Sequence, residues 1–308
     1  MVNLVAMRVL GFVALIGLLA GGPAASGSVV GGLYVDCRGE PTSAPTVILE
    51  SGAFGTSADW DLVLDDLSHG GRVCAYDRAG VGDSPPRAGE DDVTAIAEEL
   101  ATLLDALGES RPVILVGHSN GALYAEAFAA LWPERVAGLV YVNGVTSNDL
   151  SDPLLLADLN RERRLSNLAA TAGGLGLAAL GAGSVVKAEA LPSDAARRKQ
   201  KFLSHPRELR VARDEDRAIV PGLYIIANLG GSPTQIPTVT LFGSPDPDRT
   251  LAAAWRAAEE VPAKRAARGW VLEAIGASHV SPLARDRAWV AAAVNWLRSQ
   301  SPGPDVGH

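Results

Sequence analysis

Six short apolar runs, rich in β-branched residues, set the strongest limit on what this chain can fold into. They are Thr46 to Glu50, Arg72 to Tyr76, Pro112 to Val116, Val136 to Val142, Pro237 to Phe242 and Trp270 to Ile275. Continuous apolar runs of this length suit strands buried on both faces, and such strands belong in a mostly parallel sheet covered by helices. The segments between them supply the helices. Val93, Ile96, Ala97, Leu100, Leu103, Leu104 and Leu107 recur at helical spacing, with Asp91 or Asp92 as cap and Gly108 as stop. Ala122 to Leu131, ended by Pro133, and Arg285 to Ser299 repeat the pattern, so strand and helix alternate as a doubly wound α/β sheet requires. With 308 residues, 47% of them hydrophobic, the chain can bury one large core, alone or with an insertion.

The alternation breaks between about Thr146 and Pro237. There, helical patches such as Asp152 to Leu165 and Ala195 to Phe202 flank a Gly-rich apolar stretch, Thr171 to Ser184. The segment reads as an inserted helical cap. Its small residues either line a substrate pocket or form a helical excursion with no direct role. The basic run Arg197-Arg198-Lys199-Gln200-Lys201 within it reads as a solvated helix face.

Val9 to Ala20 is a short apolar run after Arg8, followed by Gly21, Gly22, Pro23 and small residues. This is a signal-peptide pattern, and it predicts a secreted or extracytoplasmic protein with no stable membrane insertion after cleavage; an uncleaved N-terminal anchor is the alternative. The predicted organisation is therefore a signal peptide over 1–26, a first core part over 27–145, a cap over 146–236, a second core part over 237–300 and a flexible tail over 301–308. Cys37 and Cys74 are the only cysteines, and export favours one disulfide between them over two separately buried thiols. No Cys/His cluster has metal-ligand spacing, so no metal is expected. A net charge of -8, with basic residues scattered or balanced by acids, argues against a nucleic-acid partner. The sequence does not bear on oligomeric state.

Chemistry enters at Gly117-His118-Ser119-Asn120-Gly121, which sits between an apolar strand and an apolar helix. In that context G-x-S-x-G marks a sharp turn that strains the serine backbone and projects its hydroxyl above the sheet, with glycines where neighbouring backbone passes too close for a Cβ. Here the chain resembles the α/β-hydrolase family, over roughly residues 32 to 300. Glu50-Ser51-Gly52-Ala53-Phe54-Gly55 with Trp60 looks like the family's oxyanion loop, although that loop commonly begins His-Gly where this chain has Ser51-Gly52. Tyr76-Asp77-Arg78-Ala79-Gly80-Val81-Gly82-Asp83-Ser84 is similar to its D-x-x-G-x-G-x-S turn, and Trp132-Pro133-Glu134-Arg135-Val136 to its helix-to-strand junction. Asp77 and Arg78 read as structural, since such turns use side chains to satisfy loop backbone.

A serine needs a base within hydrogen-bond reach. Of the five histidines, His118 cannot fold back onto its neighbour, His69 ends a helix pattern, His205 precedes Pro206 in the cap, and His308 is terminal. His279, just after the last strand, stands where the resemblance places the family's histidine. A carboxylate must orient it, and the chain order of this fold is Ser, acid, His. Asp246 in Gly243-Ser244-Pro245-Asp246 resembles the family's G-x-x-D, with Asp248 as the alternative acid or the cap of a following helix. At the end of the preceding strand, where some members carry the acid, this chain has Asn143. The oxyanion donors implied are the backbone N–H groups of Asn120 and Ala53, with Phe54 as a substitute for Ala53. The expected function is a cofactor-free serine hydrolase of small-molecule esters with a catalytic triad. A lyase, peptidase or perhydrolase of the same fold and a non-catalytic small-ligand binder are the alternatives.

Overall fold

The computed structural model describes residues 27–87, 89, 92–174, 191–243 and 249–300. The strands are β1 (Ser28–Val30), β2 (Leu33–Arg38), β3 (Val47–Glu50), β4 (Val73–Tyr76), β5 (Val113–His118), β6 (Val136–Val142), β7 (Thr238–Gly243) and β8 (Gly269–Ala274). They form one sheet in the order β1-β2-β4-β3-β5-β6-β7-β8. The β1–β2 and β2–β4 pairs are antiparallel and the remaining pairs parallel. β3, β4 and β5 are buried along their whole length, which is why they read as unbroken apolar runs.

Because successive side chains of a strand point to opposite faces, the two faces carry separate cores. Ile48, Leu115 and Leu139 pack under the helices α2 (Val93–Ala106) and α3 (Asn120–Leu131). Val47, Leu49, Ile114, Val116, Val140 and Leu241 pack under α1 (Asp61–Ser68) and the C-terminal helix Ala288–Gln300. Asp92 caps α2, its carboxylate accepting from the N–H groups of Thr94 and Ala95 at 2.8 Å each.

Between β6 and β7 the chain leaves the sheet and builds the cap from α4 (Pro153–Gly174), α5 (Ser193–Leu203) and α6 (Pro206–Asn228). Among the described residues, the α-helices α7 (Arg249–Glu259), α8 (Val261–Arg265) and α9 (Ala288–Gln300) follow β7. Most of the Gly-rich stretch Thr171 to Ser184 lies outside the described residues, as do residues 1–26, where a signal peptide was expected, and residues 301–308, where a flexible tail was expected. Among the described residues no helix is long and apolar enough to cross a membrane. Cys37 and Cys74 face one another across the β2–β4 pair and form a disulfide.

The basic run of the cap requires a correction. Only Arg197 stays on its own helix, pairing with Asp194. Lys199 is buried at 4% exposure, with its ammonium 2.7 Å from Asp59 and 2.9 Å from the carbonyl of Phe54. Arg198 reaches Asp83 at 3.1 Å and the Ser57 hydroxyl at 2.7 Å, and Lys201 reaches Asp83 at 2.8 Å. Arg198 and Lys199 fasten α5 to the loops of the core, because Asp59, Asp83, Ser57 and the Phe54 carbonyl offer acceptors in place of water, whereas Arg197, Gln200 and Lys201 keep the exposed face expected of the run, Lys201 with Asp83 as its partner.

Candidate active site

In parallel α/β sheets, sites assemble beyond the C-terminal ends of the strands. Here β3 runs into the loop 50–56, β5 into Ser119, β6 into Asn143 and β8 into the loop bearing His279. Ser119 sits at φ 54°, ψ -125°, a conformation a side chain rarely adopts. It is held by its N–H donating to Val142 O and its carbonyl accepting from Ala122 and Val145, each at 3.0 Å. The flanking glycines have steric reasons. A Cβ on Gly117 would fall 2.4 Å from Gly121 O, and one on Gly121 would fall 2.4 Å from Glu50 O. Asn120 opens α3, so its N–H has no intrahelical acceptor and adds to the positive end of the helix.

The loop after β3 lies against the serine: a Cβ on Gly52 would sit 2.9 Å from Ser119 Cβ. Ser51, where the family commonly has histidine, pins this loop. Its hydroxyl accepts from Trp60 Nε1 at 3.0 Å and donates to Thr56 O at 2.9 Å. Ala53 lines a cavity of about 70 Å³ together with Asp59, His118, Lys199, Val280 and Leu283. A larger open concavity on α4, around Asn160, Arg161 and Arg164, touches none of these loops.

His279 is exposed at the rim of the site, and partial desolvation of its ring there lowers its pKa below the ordinary imidazole value. Its ring makes no hydrogen bond to Ser119 among the described contacts. The two are linked through His118, whose ring centroid is 4.8 Å from that of His279 and whose Nε2 lies 2.9 Å from the His279 carbonyl. A carbonyl only accepts, so this contact puts the His118 proton on Nε2. Burial, reinforced by the neighbouring His279, pushes the His118 pKa down to about 3, so this ring stays neutral. Asn143, at φ 44°, donates to the same His279 carbonyl at 2.9 Å and accepts from Gly243 N at 2.8 Å. Two side chains from adjacent strand ends thus grip one carbonyl. Asp246 and Asp248 both lie outside the described residues.

Sequence reasoning missed the carboxylates supplied by the cap. Arg78 is fully buried, and each of its five N–H donors has one acceptor. Nε donates to Glu215 Oε1 at 3.0 Å, Nη1 to Glu50 Oε1 and Ser51 O at 2.7 Å each, and Nη2 to Gly52 O at 3.1 Å and Glu215 Oε2 at 2.9 Å. Tyr76 donates its hydroxyl to Glu50, and burial raises the Glu50 pKa. Beside Glu215 on α6, Asp216 accepts from Asn120 Nδ2 at 3.3 Å and from the Ser166 hydroxyl at 3.0 Å. Nothing local could have announced the contacts of these two carboxylates with the core, Glu215 with Arg78 and Asp216 with Asn120, which lie 137 and 96 residues apart in sequence. Asp77 is structural as expected, accepting from the N–H groups of Ser57 and Asp83. Among the described residues no group of three His, Cys, Asp or Glu side chains converges to hold a metal ion.

A strained serine at a strand-to-helix elbow, close beside the loop that follows β3, on a mostly parallel sheet with a helical cap, is the arrangement of the α/β-hydrolase class. The chain belongs to this family: the alpha/beta hydrolase fold family matches residues 45–206. The chain is 36% identical over 122 residues to a putative carbamate hydrolase RutD from Caulobacter sp. (strain K31), covering 39% of this chain and 45% of that protein. It is 34% identical over 121 residues to an AB hydrolase superfamily protein of Gibberella zeae (strain ATCC MYA-4620 / CBS 123657 / FGSC 9075 / NRRL 31084 / PH-1), covering 36% of each. The matches thus span less than half the length of these curated relatives. In structure the fold is similar to a thermophilic esterase from Thermogutta terrifontis, with TM-score 0.65, 21% identity, 89% of this chain and 99% of that one. It is also similar to a laboratory-evolved variant of potato epoxide hydrolase StEH1, with TM-score 0.68, 17% identity, 89% of this chain and 98% of that one.

Proposed function

We propose that the protein is a serine hydrolase that cleaves carboxylic esters of small or apolar substrates through an acyl-enzyme on Ser119. The observation that carries this reading is the backbone of Ser119, a half-buried non-glycine residue held at φ 54° between β5 and α3. Strain of that kind costs on the order of 1–3 kcal/mol and persists where the surroundings over-determine it, as at nucleophile elbows. In the proposed cycle His279 takes the hydroxyl proton as Oγ attacks the carbonyl carbon. The oxyanion meets the N–H groups of Ala53 and Asn120, and the alcohol leaves with the proton. Water, deprotonated by His279, then attacks the acyl carbon, releasing the acid and restoring Ser119. The lowered His279 pKa supports the role of base, because a base must start neutral. Asp246 enters as the carboxylate that orients the imidazole, on the strength of its motif and the chain order.

The relatives named putative carbamate hydrolases favour one second reading. A carbamate presents the same kind of carbonyl with nitrogen as a neighbour, and the same serine and donors would serve it. The disulfide supports a secreted or extracytoplasmic location, since such bonds persist in oxidising compartments. A chain-length panel of p-nitrophenyl esters and a fluorophosphonate probe test the proposal. Ser119→Ala should fold normally, lose labelling and lose turnover by about 10⁴-fold. Labelling that persists on another serine would overturn the assignment.

A further inference from the structure

Two cations stand behind the loop whose Ala53 amide is the proposed oxyanion donor, and both are tied to the cap. Arg78 Nη2 donates to Gly52 O at 3.1 Å, and its guanidinium is braced by Glu215 of α6. Lys199 of α5 donates to Phe54 O at 2.9 Å and is braced by Asp59. Between these contacts the Gly55 N–H donates to Gly52 O at 3.1 Å. The bonds therefore form one line: Lys199 ammonium to the Phe54 carbonyl, the Gly55 N–H of that same peptide to the Gly52 carbonyl, and Arg78 to the Gly52 carbonyl as well. In a trans peptide the C=O and N–H point in opposite directions. A Gly52 carbonyl held from one side by a guanidinium and the Gly55 N–H thus turns the Ala53 N–H to the other. Linked hydrogen bonds also polarise one another in a water-poor interior, and a charged donor at the head makes each following N–H a better donor.

We propose that Lys199 and Arg78 are positioning residues for the oxyanion donor, and that through them the docked cap sets both the direction and the donor strength of the Ala53 amide. The inference rests on the reading of Ser119 as nucleophile. The Tyr76–Glu50 pair and the Ser51 carbonyl complete the seat of Arg78, while Lys199 bonds only the Phe54 carbonyl of the loop and its brace Asp59. Lys199 is therefore the cleaner site for a test. Lys201, on the same helix, fastens the cap to Asp83 without touching the loop, and separates loosening of the cap from loss of the relay.

The experiment uses the full chain and p-nitrophenyl acetate. Active sites are counted by the p-nitrophenolate released on reaction with diethyl p-nitrophenyl phosphate, and affinity is measured for an arylboronic acid. The boronic acid forms a Ser Oγ–B bond, its boron becoming tetrahedral and anionic while the serine proton passes to His279. Losing a whole oxyanion donor costs about 10² to 10³ in kcat, so losing its placement and polarisation through Lys199→Met should cost roughly 10- to 30-fold in kcat per titrated site. Boronate affinity should fall by the same factor, with KM within about 3-fold, because the donor acts on the tetrahedral state. Lys199→Arg should recover part of both losses, and Lys201→Met should retain wild-type kcat and boronate affinity. If Lys199→Met folds poorly because Asp59 is left unpaired, Lys199→Met/Asp59→Asn removes that charge without restoring the relay and carries the same expectation. Wild-type kcat per titrated site and boronate affinity in these variants would overturn the proposal while leaving Ser119 in place. A wild-type protein that neither titrates nor turns over would overturn the nucleophile and this inference together.

Discussion

Replacing Asn143 by glycine isolates the carbonyl grip on His279. Its amide makes two hydrogen bonds that join three strand ends, to His279 O at 2.9 Å and from Gly243 N at 2.8 Å. Each is worth about 1 kcal/mol net, and the half-buried Gly243 N–H left behind adds a desolvation penalty. Against this, glycine relaxes the φ 44° backbone, where an asparagine is tolerated at a cost below about 1 kcal/mol. Asn143→Gly should therefore lose about 1–2 kcal/mol. Asn143→Ala, which loses the same bonds and adds left-handed strain, should lose about 2–3 kcal/mol. Urea unfolding of both variants beside wild type measures the difference. With only His118 left on the His279 carbonyl, kcat toward a p-nitrophenyl ester should fall about 10-fold at near-constant KM, since misplacement of a catalytic group by a fraction of an ångström is costly. An Asn143→Gly variant with wild-type unfolding midpoint and wild-type kcat would refute the idea that this grip places His279. Equal midpoints for glycine and alanine would refute the strain component.

Reducing the Cys37–Cys74 bond, which closes a 37-residue separation, should cost roughly 3 to 4 kcal/mol in the chain-entropy model. That corresponds to a melting temperature lower by about 6 to 8 °C, and a melt unchanged by a reductant that demonstrably frees both thiols would contradict it. Asp149 is buried beneath the capping box it forms with Thr146, and burial raises its pKa to about 8. Between its ordinary value and about 8 the folded state binds the proton that the unfolded state has lost, so its contribution to stability falls as pH rises and levels off above about 8. Asp149→Asn should flatten that decline, read as a wild-type minus variant difference in urea stability that shrinks from pH 4 to 8. Asp246→Asn should lower kcat by about 10³ to 10⁴-fold. Asp248→Asn should retain most activity, because asparagine caps helices about as well as aspartate.

β4, β5 and β6 were legible because burial on both faces writes itself locally as an unbroken apolar run, and β3, β7 and β8 because three apolar residues or apolar residues alternating with threonine still stand out between helical patterns. β1 left no such trace: Ser28 to Val30 is short and largely exposed. Within the cap, α6 carries Pro221 inside it and buries Glu215 and Asp216, two residue types that ordinarily mark a solvated face. Arg198 and Lys199, within the run that reads as a solvated face, misled for the same reason. Charge is a local property, whereas whether a charge meets water or an acceptor 140 residues away is not. The elbow could be read because its demands are local too. Gly117 and Gly121 must lack a Cβ, and the steric cause lies within five residues or in the adjacent loop. Asn143 was visible as a non-carboxylate, but its grip on the His279 carbonyl spans 136 residues and required the sheet.

The Arg78 cluster clarifies what its buried charges are for. Glu50 and Glu215 share one guanidinium at 2% exposure, and desolvation of three charged groups is expensive enough that such clusters seldom stabilise a fold relative to apolar residues of the same size. Stability therefore does not account for it. What apolar residues could not do is donate to Ser51 O and Gly52 O, two consecutive loop carbonyls that need a planar fork with donors at fixed angles. Glu215 comes from the cap and Glu50 from the end of β3, so the fork is held in plane by one partner on each side of the boundary between cap and sheet. An arginine oriented this way transmits the docking of α6 to the loop at the serine. Lysine in its place would keep the charge and lose the plane, so Arg78→Lys should perturb turnover more than its change in charge, which is none, would suggest.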